Sequence, residues 1–514
     1  MTQTDQNQQS KIVEAFLERT VHIYGITGAE GYAVLDWLVG LGHTRIIAHD
    51  FSVSKEVLRA EWERVHEGHT AAHDARFLEV IENTAITWKL GDDYAEAPSD
   101  GEIFFVIQSW FRYAKNDFLK PFFEPTLAVR EPYRDFVWTL TRLYFALFPG
   151  KLIAVTGSDG KTSTTRMIGT LISAHAATLG VRCIETGNDR THQQSIADVA
   201  ACGPKDFLVL EISDRQLSFQ FHLMPDVAVV TNVTSNKHMD DYGGFAQYVE
   251  TKGNLLRFQT KNQIAILNAD DAASRETLVG IGSAARMWVS AQRRPEEGMH
   301  AQRETFVRTH PSSEANVMDA NELAVFGKHN WYNAMQALLA AEAVGMSLQR
   351  AAEALKKFKG VPHRLQPVRR FKRITYVEDS SGGNPANIPV SIQTFNGRPL
   401  VMIVGGYRQN LTVDEVAPIV RALDGEHSVR AMILFGQVAP RLRELILEGV
   451  ATFQDVHVVA DLPAAIAWVQ AHHADLTASQ EAVVCMTPGF ESFDQYKDYR
   501  VRAEHFTQLV NDLT

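Results

Sequence analysis

Lys161 and Thr162 stand in the segment T-G-S-D-G-K-T-S at 156–163, and residues of these types at this spacing suit a nucleoside triphosphate. Gly157 and Gly160 allow the backbone to turn tightly, so that amide N–H groups can ring a phosphate at a helix N-terminus. Ser158, Asp159 and Ser163 complete the loop. The Lys161 ammonium offers a point charge to the terminal phosphates, and the Thr162 hydroxyl is a natural Mg²⁺ ligand. The pattern is shorter than the full phosphate-loop motif, because Val155 stands where its first glycine belongs. A glycine turn with a surface lysine is the bland alternative. The flanks weigh against it: Lys151–Val155 is a short apolar run with β-branched residues, and Thr164–Leu179 has helical spacing and few breakers. Further on, F-L-V-L-E at 207–211 reads as a buried strand ending in a carboxylate, which places Glu211 where a second Mg²⁺ ligand belongs.

The elements that must position these residues alternate strand and helix. Val21–Tyr24 is a short strand, followed by the turn G-x-x-G-x-x-G at 25–31, a helix over Tyr32–Leu41 and a strand over Thr44–His49 that ends at Asp50. Gly25, Thr27 and Gly28 could contact an anion or a nucleotide diphosphate; tight helix–strand packing is the alternative. The first glycine gap is one residue longer than in the dinucleotide motif, so NAD is not expected. Residues 52–100 read as helix or loop, Ile103–Ile107 as a strand, and Trp110–Phe123 as interdomain packing, with ligand contact the alternative. After the phosphate-loop helix come Arg182–Glu185 and the turn Thr186-Gly-Asn188, then strands at Val227–Asn232 and Gln263–Leu267, with a helix over Tyr248–Phe258. Residues 285–320 are polar, an insertion or a β-rich excursion, and helices follow at Tyr332–Val344 and Leu348–Phe358. The last part alternates again, with strands near 375–377, 400–404, 431–434, 456–459 and 482–486. The expected fold is α/β in three domains: a Rossmann-like domain over 1–148, a central phosphate-loop ATPase domain with a mostly parallel sheet over 149–364, and a Rossmann-like domain over 365–514.

With 45% hydrophobic and 22% charged residues among 514, the composition is that of a soluble globular enzyme. A net charge of −11 argues against a general nucleic-acid or anionic-membrane surface. Cys183, Cys202 and Cys485 are scattered, which suits a reducing compartment and gives no zinc motif. No secretory leader and no run of eighteen apolar residues is found, so a cytoplasmic protein is expected.

Taken together, ordered blocks along nearly the whole chain resemble the ATP-dependent Mur ligase family, most of all its glutamate-adding members. They are T-G-S-D-G-K-T-S at 156–163, E-I-S-x-x-Q-L at 211–217, N-V-T-x-x-H-M-D at 232–240, T-K at 251–252, N-A-D-D at 268–271, G-K-H-N-x-x-N-A at 327–334, F-K-G-V-P-H-R-L at 358–365, D-S at 379–380 and S-F-D-Q-Y-K-D-Y at 492–499. The resemblance implies amide formation in peptidoglycan precursor synthesis: a carboxylate attacks ATP to give an acyl phosphate, and an amine then attacks the acyl carbon. It implies two Mg²⁺ sites, one held by Thr162 and Glu211, the other by His238 and a Lys252 carbamylated by CO₂, with Lys161, His238 and Lys252 catalytic. Asn330 and Asn333 would grip adenine or phosphate, while Arg364 and Asp379 would reach the nucleotide as the third domain closes. The partners implied are small molecules, UDP-N-acetylmuramoyl-L-alanine and glutamate, and the protein is expected to be a monomer. Gly25–Gly31 would take the diphosphate, Asp50 the uridine, and Asn188 the same substrate between domains. Ser492, Phe493 and Tyr499 would hold the glutamate side chain.

Some positions depart from the family pattern. Ser381 follows D-S where the glutamate-adding members have lysine, and Tyr407-Arg408-Gln409 follows Gly405-Gly406 where a lysine is usual, leaving Arg408 to hold the α-carboxylate. Gln108-Ser-Trp-Phe111 replaces an S-P-G turn. These changes leave the ATP chemistry intact and open the choice of acceptor. A family member acting on another carboxylate, and a non-catalytic nucleotide-binding subunit, are the alternatives.

Overall fold

The computed structural model describes residues 3–65, 71–108, 114–188, 196–234, 242–381, 383–424 and 428–514. His238, residues 109–111 of the replaced turn and Gly382 lie outside the described residues.

The molecule is mixed α/β, built on three mainly parallel sheets. The first joins β1 (Val21–Tyr24), β2 (Ile46–Asp50), β3 (Ile86–Leu90), β4 (Ile103–Phe105) and β5 (Val137–Trp138) in the order β3-β2-β1-β4-β5, all parallel. The second is nine-stranded: β6 (Lys151–Thr156), β7 (Cys183–Gly187), β8 (Phe207–Glu211), β9 (Val227–Val230), β10 (Ile264–Asn268), β11 (Ala285–Ser290), β12 (Gly298–Gln302), β13 (Thr305–His310) and β14 (Ser313–Asp319), in the order β14-β13-β12-β11-β10-β9-β6-β8-β7. The third joins β15 (Gln366–Phe371), β16 (Ile374–Glu378), β17 (Leu400–Gly405), β18 (Val429–Phe435), β19 (Val456–Val458) and β20 (Ala482–Gly489) in the order β15-β16-β20-β17-β18-β19.

β1 is buried throughout, as is β6 after Lys151, because crossover helices cover both faces of a parallel sheet. β1 lies between β2 and β4, and β6 between β8 and β9, so the chain leaves each in opposite directions. The glycine turns after β1 and β6 therefore open at topological switch points, where a crevice forms beyond the strand ends.

Most expected elements are present with shifted ends. The segment 52–100, read as helix or loop, also holds β3, an edge strand whose I-T-W-K-L is only partly buried and lacks an apolar run. β15 (Q-P-V-R-R-F) went unread for the same reason; it is a polar, antiparallel edge with a register shift at Pro367. Residues 285–320 are the β-rich excursion, with β12–β14 antiparallel. The helix expected over Tyr248–Phe258 runs over Phe245–Gly253.

By compactness the chain divides into two units. One comprises Met1–Ala320 with Trp331–Lys356 and holds the first two sheets; the other comprises Asn321–Asn330 with Lys357–Thr514 and holds the third.

Candidate active site

In the first unit, the phosphate loop caps the helix Lys161–Leu179. Its N-cap, Gly160, has φ +79° and gives no side-chain cap, and the first turn carries no acid, so the leading N–H groups are left for an anion. A Cβ on Gly160 would come within 2.7 Å of Asn333 Oδ1, which accepts the Thr164 hydroxyl at 3.1 Å. Neighbouring strand ends brace the loop from outside. Thr231 Oγ1 donates to Asp159 O at 2.6 Å, and Asn232 receives Asp159 N–H on its side chain and Ser158 N–H on its carbonyl.

Two ammonium groups meet here. Lys161 Nζ donates to Gly157 O and Ser158 O, each at 2.9 Å, and Lys252 Nζ donates to the same Gly157 O at 2.9 Å. Burial, and then the charge of Lys252, lowers the pKa of Lys161. Lys252 is 0% exposed, so it is no surface lysine. Burial brings its pKa down to about 8, opposed by Asp214, whose Oδ1 lies 3.6 Å away. Tyr248 presents its ring 4.6 Å from Lys252 Nζ and its hydroxyl 3.2 Å from Ser158 Oγ. Burial works to raise the Asp214 pKa, yet Lys252 and the Tyr242 hydroxyl at 2.7 Å hold it below its usual value.

Glu211 ends β8, next to β6. Its Oε1 accepts Asn188 Nδ2 at 3.1 Å, whereas its Oε2 is buried and has no hydrogen-bond partner among the described residues. Such an orphaned oxygen fits a cation. Among the described residues no group of three or more His, Cys, Asp or Glu could hold a metal ion. A metal here would therefore complete its shell with phosphate oxygens and water, the habit of Mg²⁺.

The turn after β1 has a different chemistry. Asp50 is buried, and its carboxylate is filled from within. Oδ2 accepts Thr27 N–H at 3.0 Å and the Thr27 hydroxyl at 3.2 Å, and Oδ1 accepts the N–H and hydroxyl of Ser52. Gly31 is required by packing, since a Cβ there would lie 2.1 Å from Gly25 O. Glu30 accepts Gln108 N–H at 3.0 Å and Gln216 Nε2 at 2.6 Å. Beneath the turn, His22 Nδ1 meets His49 Nε2 at 2.9 Å, and the outer nitrogens reach Glu102 and Tyr94 O.

In the second unit, Asp379 follows β16. Its Oδ1 accepts Leu365 N–H at 3.2 Å, which fixes the bend that carries Arg364, and its Oδ2 accepts the hydroxyls of Ser391 and Thr487. Burial pushes its pKa up to about 6. Arg408 pairs with Glu415, which also accepts Thr412 N–H. Ser492 is buried, Phe493 is 67% exposed, and Tyr499 opens a helix capped by Asp498. Arg502, unread in the sequence, is buried and donates to Phe490 O at 3.1 Å, tying down the segment before Ser492.

Residues 155–341 match the model of the Mur ligase middle domain. The UDP-N-acetylmuramoylalanine–D-glutamate ligase of Symbiobacterium thermophilum is 31% identical over 369 residues, covering 71% of this chain and 76% of the relative. The chain belongs to the Mur ligase family. As a Mur ligase it is an ATP-dependent ligase. Solved Mur ligases share its three-domain fold at low identity. MurC from Thermotoga maritima aligns with TM-score 0.52 and 16% identity over 96% of this chain and 99% of that one. MurF from the same organism, in complex with ADP, aligns with TM-score 0.52 and 17% identity over 85% and 91%.

Within the first unit of this Mur ligase the structure gathers Gly157–Ser163, Glu211, Lys252, Asn188 and Asn333. Asn330 lies on the same helix as Asn333, His329–Ala343, and donates to Phe326 O at 2.7 Å. Asp214, Tyr248 and Glu30 had no role in the sequence reading: Asp214 and Glu30 are unassigned positions inside E-I-S-x-x-Q-L and G-x-x-G-x-x-G, and Tyr248 carries no motif. Gln108 was noted only as the start of the segment that replaces the S-P-G turn. No helix among the described residues is long and apolar enough to cross a membrane.

Proposed function

We propose that this Mur ligase joins glutamate to UDP-N-acetylmuramoyl-L-alanine, forming ADP and phosphate. The observation that carries this reading is the 31% identity to a relative named for D-glutamate addition, over 71% of the chain. Gly157–Ser163 would cradle the ATP phosphates, with Lys161 exchanging its two carbonyl partners for phosphate oxygens. Phosphoryl transfer needs little beyond alignment and charge neutralisation, which buried cations supply well. Thr162 and the free Oε2 of Glu211 would hold Mg²⁺, which neutralises charge on the transferred group. His238 and Lys252 would serve a second Mg²⁺.

Lys252 is suited to carbamylation. Burial favours its neutral amine, the form that adds to CO₂ to give a carbamate with loss of a proton. The carbamate anion would then lie beside Asp214, so a cation between them is required. Gly25, Thr27, Gly28 and Asn188 would contact the UDP substrate, with Asp50 holding Thr27 in place. Arg364 would contact the nucleotide, and Ser492, Phe493 and Tyr499 the glutamate.

A second reading, a ligase for another acceptor, is favoured by the Arg408–Glu415 pair, which already occupies the cation expected to receive the α-carboxylate. Phosphate release from ATP with UDP-N-acetylmuramoyl-L-alanine separates the two readings. Turnover with D-glutamate is expected; turnover with L-glutamate alone reassigns the pocket, and none with either removes the UDP-substrate reading. Lys252→Ala should abolish turnover and leave ADP binding in place, as read by calorimetry.

A further inference from the structure

A chain of side-chain hydrogen bonds runs from the first turn to Glu211, and its polarity can be read link by link. Ser213 Oγ lies 2.6 Å from Gln108 Oε1 and 3.1 Å from Gln216 Oε1. The single hydroxyl proton goes to the shorter contact, Gln108, while Gln216 Oε1 receives Ser213 N–H at 2.8 Å. That makes Oε1 the acceptor end of the Gln108 amide and turns its Nε2 toward Asn188 Oδ1, at 3.1 Å. With its oxygen so engaged, Asn188 has only its Nδ2–H to offer, and it gives this to Glu211 Oε1. The Gln108 backbone is pinned in turn, because its N–H goes to Glu30 Oε2 while Gln216 holds the other Glu30 oxygen. The outcome is a Glu211 with one oxygen engaged by Asn188 and the other buried and without a partner among the described residues.

We propose that Gln108 is a positioning residue for the metal: it fixes the Asn188 amide so that Glu211 presents a single free oxygen to Mg²⁺. This rests on the reading of Glu211 as a Mg²⁺ ligand. Groups that orient a ligating carboxylate typically alter metal affinity by roughly 10–100-fold when changed. Two substitutions at Gln108 differ in what they do to this polarity. Gln108→Leu removes the donor to Asn188. Gln108→Glu keeps the shape and the acceptor for Ser213, but sets a second acceptor against Asn188 Oδ1. The Asn188 amide then turns over and directs its oxygen at Glu211. A role in packing alone would make the isosteric Glu the milder change.

The test is ADP binding measured by calorimetry across Mg²⁺ concentrations in the full-length chain, which needs no acyl substrate. The expected result is a half-saturating Mg²⁺ concentration raised about tenfold by Gln108→Leu and at least as much by Gln108→Glu, with Mg²⁺-free ADP binding unchanged. Should Gln108→Leu fail to fold, Gln108→Glu still decides the matter. A wild-type Mg²⁺ requirement in Gln108→Glu, or a milder effect there than in Gln108→Leu, overturns the proposal. Glu211→Gln serves as control: if it leaves the Mg²⁺ requirement unchanged, the metal reading itself fails and the proposal with it.

Discussion

The turn after β1 and the loop after β6 share a backbone plan and differ in charge. Each follows a buried parallel strand at a switch point, and each opens a helix whose glycine N-cap makes no side-chain hydrogen bond. The loop after β6 directs two buried ammonium groups at its own carbonyls, a cationic site filled by weak stand-ins. The turn after β1 is flanked by two carboxylates, Glu30 in the first turn of its helix and Asp50 at the end of β2, each with both oxygens hydrogen-bonded by protein donors. Strand–turn–helix geometry supplies a place for an anion. Whether it serves a highly charged triphosphate depends on the cations beside it: Lys161 donates to two loop carbonyls, and Lys252 shares one of these while Asp214 stands 3.6 Å away.

Removing the cation should break the comparison most. Lys161→Ala is expected to lower kcat by about 10²–10³-fold, the usual scale for losing one preorganised group that neutralises transition-state charge. Its effect on KM for the proposed UDP substrate should be small. A comparable rise in that KM would mean that the two turns do not divide the substrates between them.

Acid should act on the first turn and spare the second. Burial brings the His49 pKa down to about 4, with Tyr94 O and Glu96 opposing and His22 and Lys89 assisting. The unfolded chain binds this proton below pH 6.5 and the folded chain only near 4, so stability falls as pH drops through that window, by up to about 3 kcal/mol. Amide protection factors, which allow for the intrinsic slowing of exchange in acid, should fall at β1 and β2 between pH 6.5 and 4 while those of β6 hold. His49→Gln should flatten that dependence; if it does not, the His22–His49 pair is not the source.

The glycines sharpen the contrast further. Gly31→Ala forces a Cβ to 2.1 Å from a backbone oxygen, so helix and strand must part. A loss of about 1–3 kcal/mol in thermal stability is expected, as for other overpacked sites, with ADP affinity retained. Gly160→Ala meets only the end of the Asn333 side chain but must hold φ at +79°. It should weaken ADP binding about tenfold at a smaller stability cost, since a strained left-handed residue costs about 1–2 kcal/mol. Equal effects of the two on ADP binding would show that the turns are not separate sites.

How much of this was legible depends on whether the signal is local. The phosphate loop, β8 with Glu211 and the alternation of strands and helices were readable because glycine spacing and apolar runs lie within a few residues of one another. β3 and β15 were not, since edge strands need only part of their surface buried and carry no apolar run. Lys252 kept its place, but its burial was invisible: a lysine on a nine-residue helix carries no mark of the tyrosine and aspartate that enclose it. Glu30 and Gln108, 78 residues apart, meet only through tertiary structure. His238 remains a sequence expectation.

The smallest effect concerns Asp50, which the family resemblance assigns to the uridine. Its two oxygens already take four donors from Thr27 and Ser52, so its direct work is to hold the turn. Asn in its place can satisfy only one of those oxygen positions and sets an NH₂ group against two donors at the other. The hydroxyl of the two can rotate away, which leaves one buried N–H unmatched at a cost of about 1 kcal/mol or somewhat more. Asp50→Asn should therefore lower thermal stability by that amount and raise KM for the proposed UDP substrate, leaving the ATP dependence alone. An aspartate that contacted uridine without bracing Thr27 would show the KM change with unaltered stability. The carboxylate would then belong to the ligand, and the contrast with the phosphate loop would narrow to Glu30.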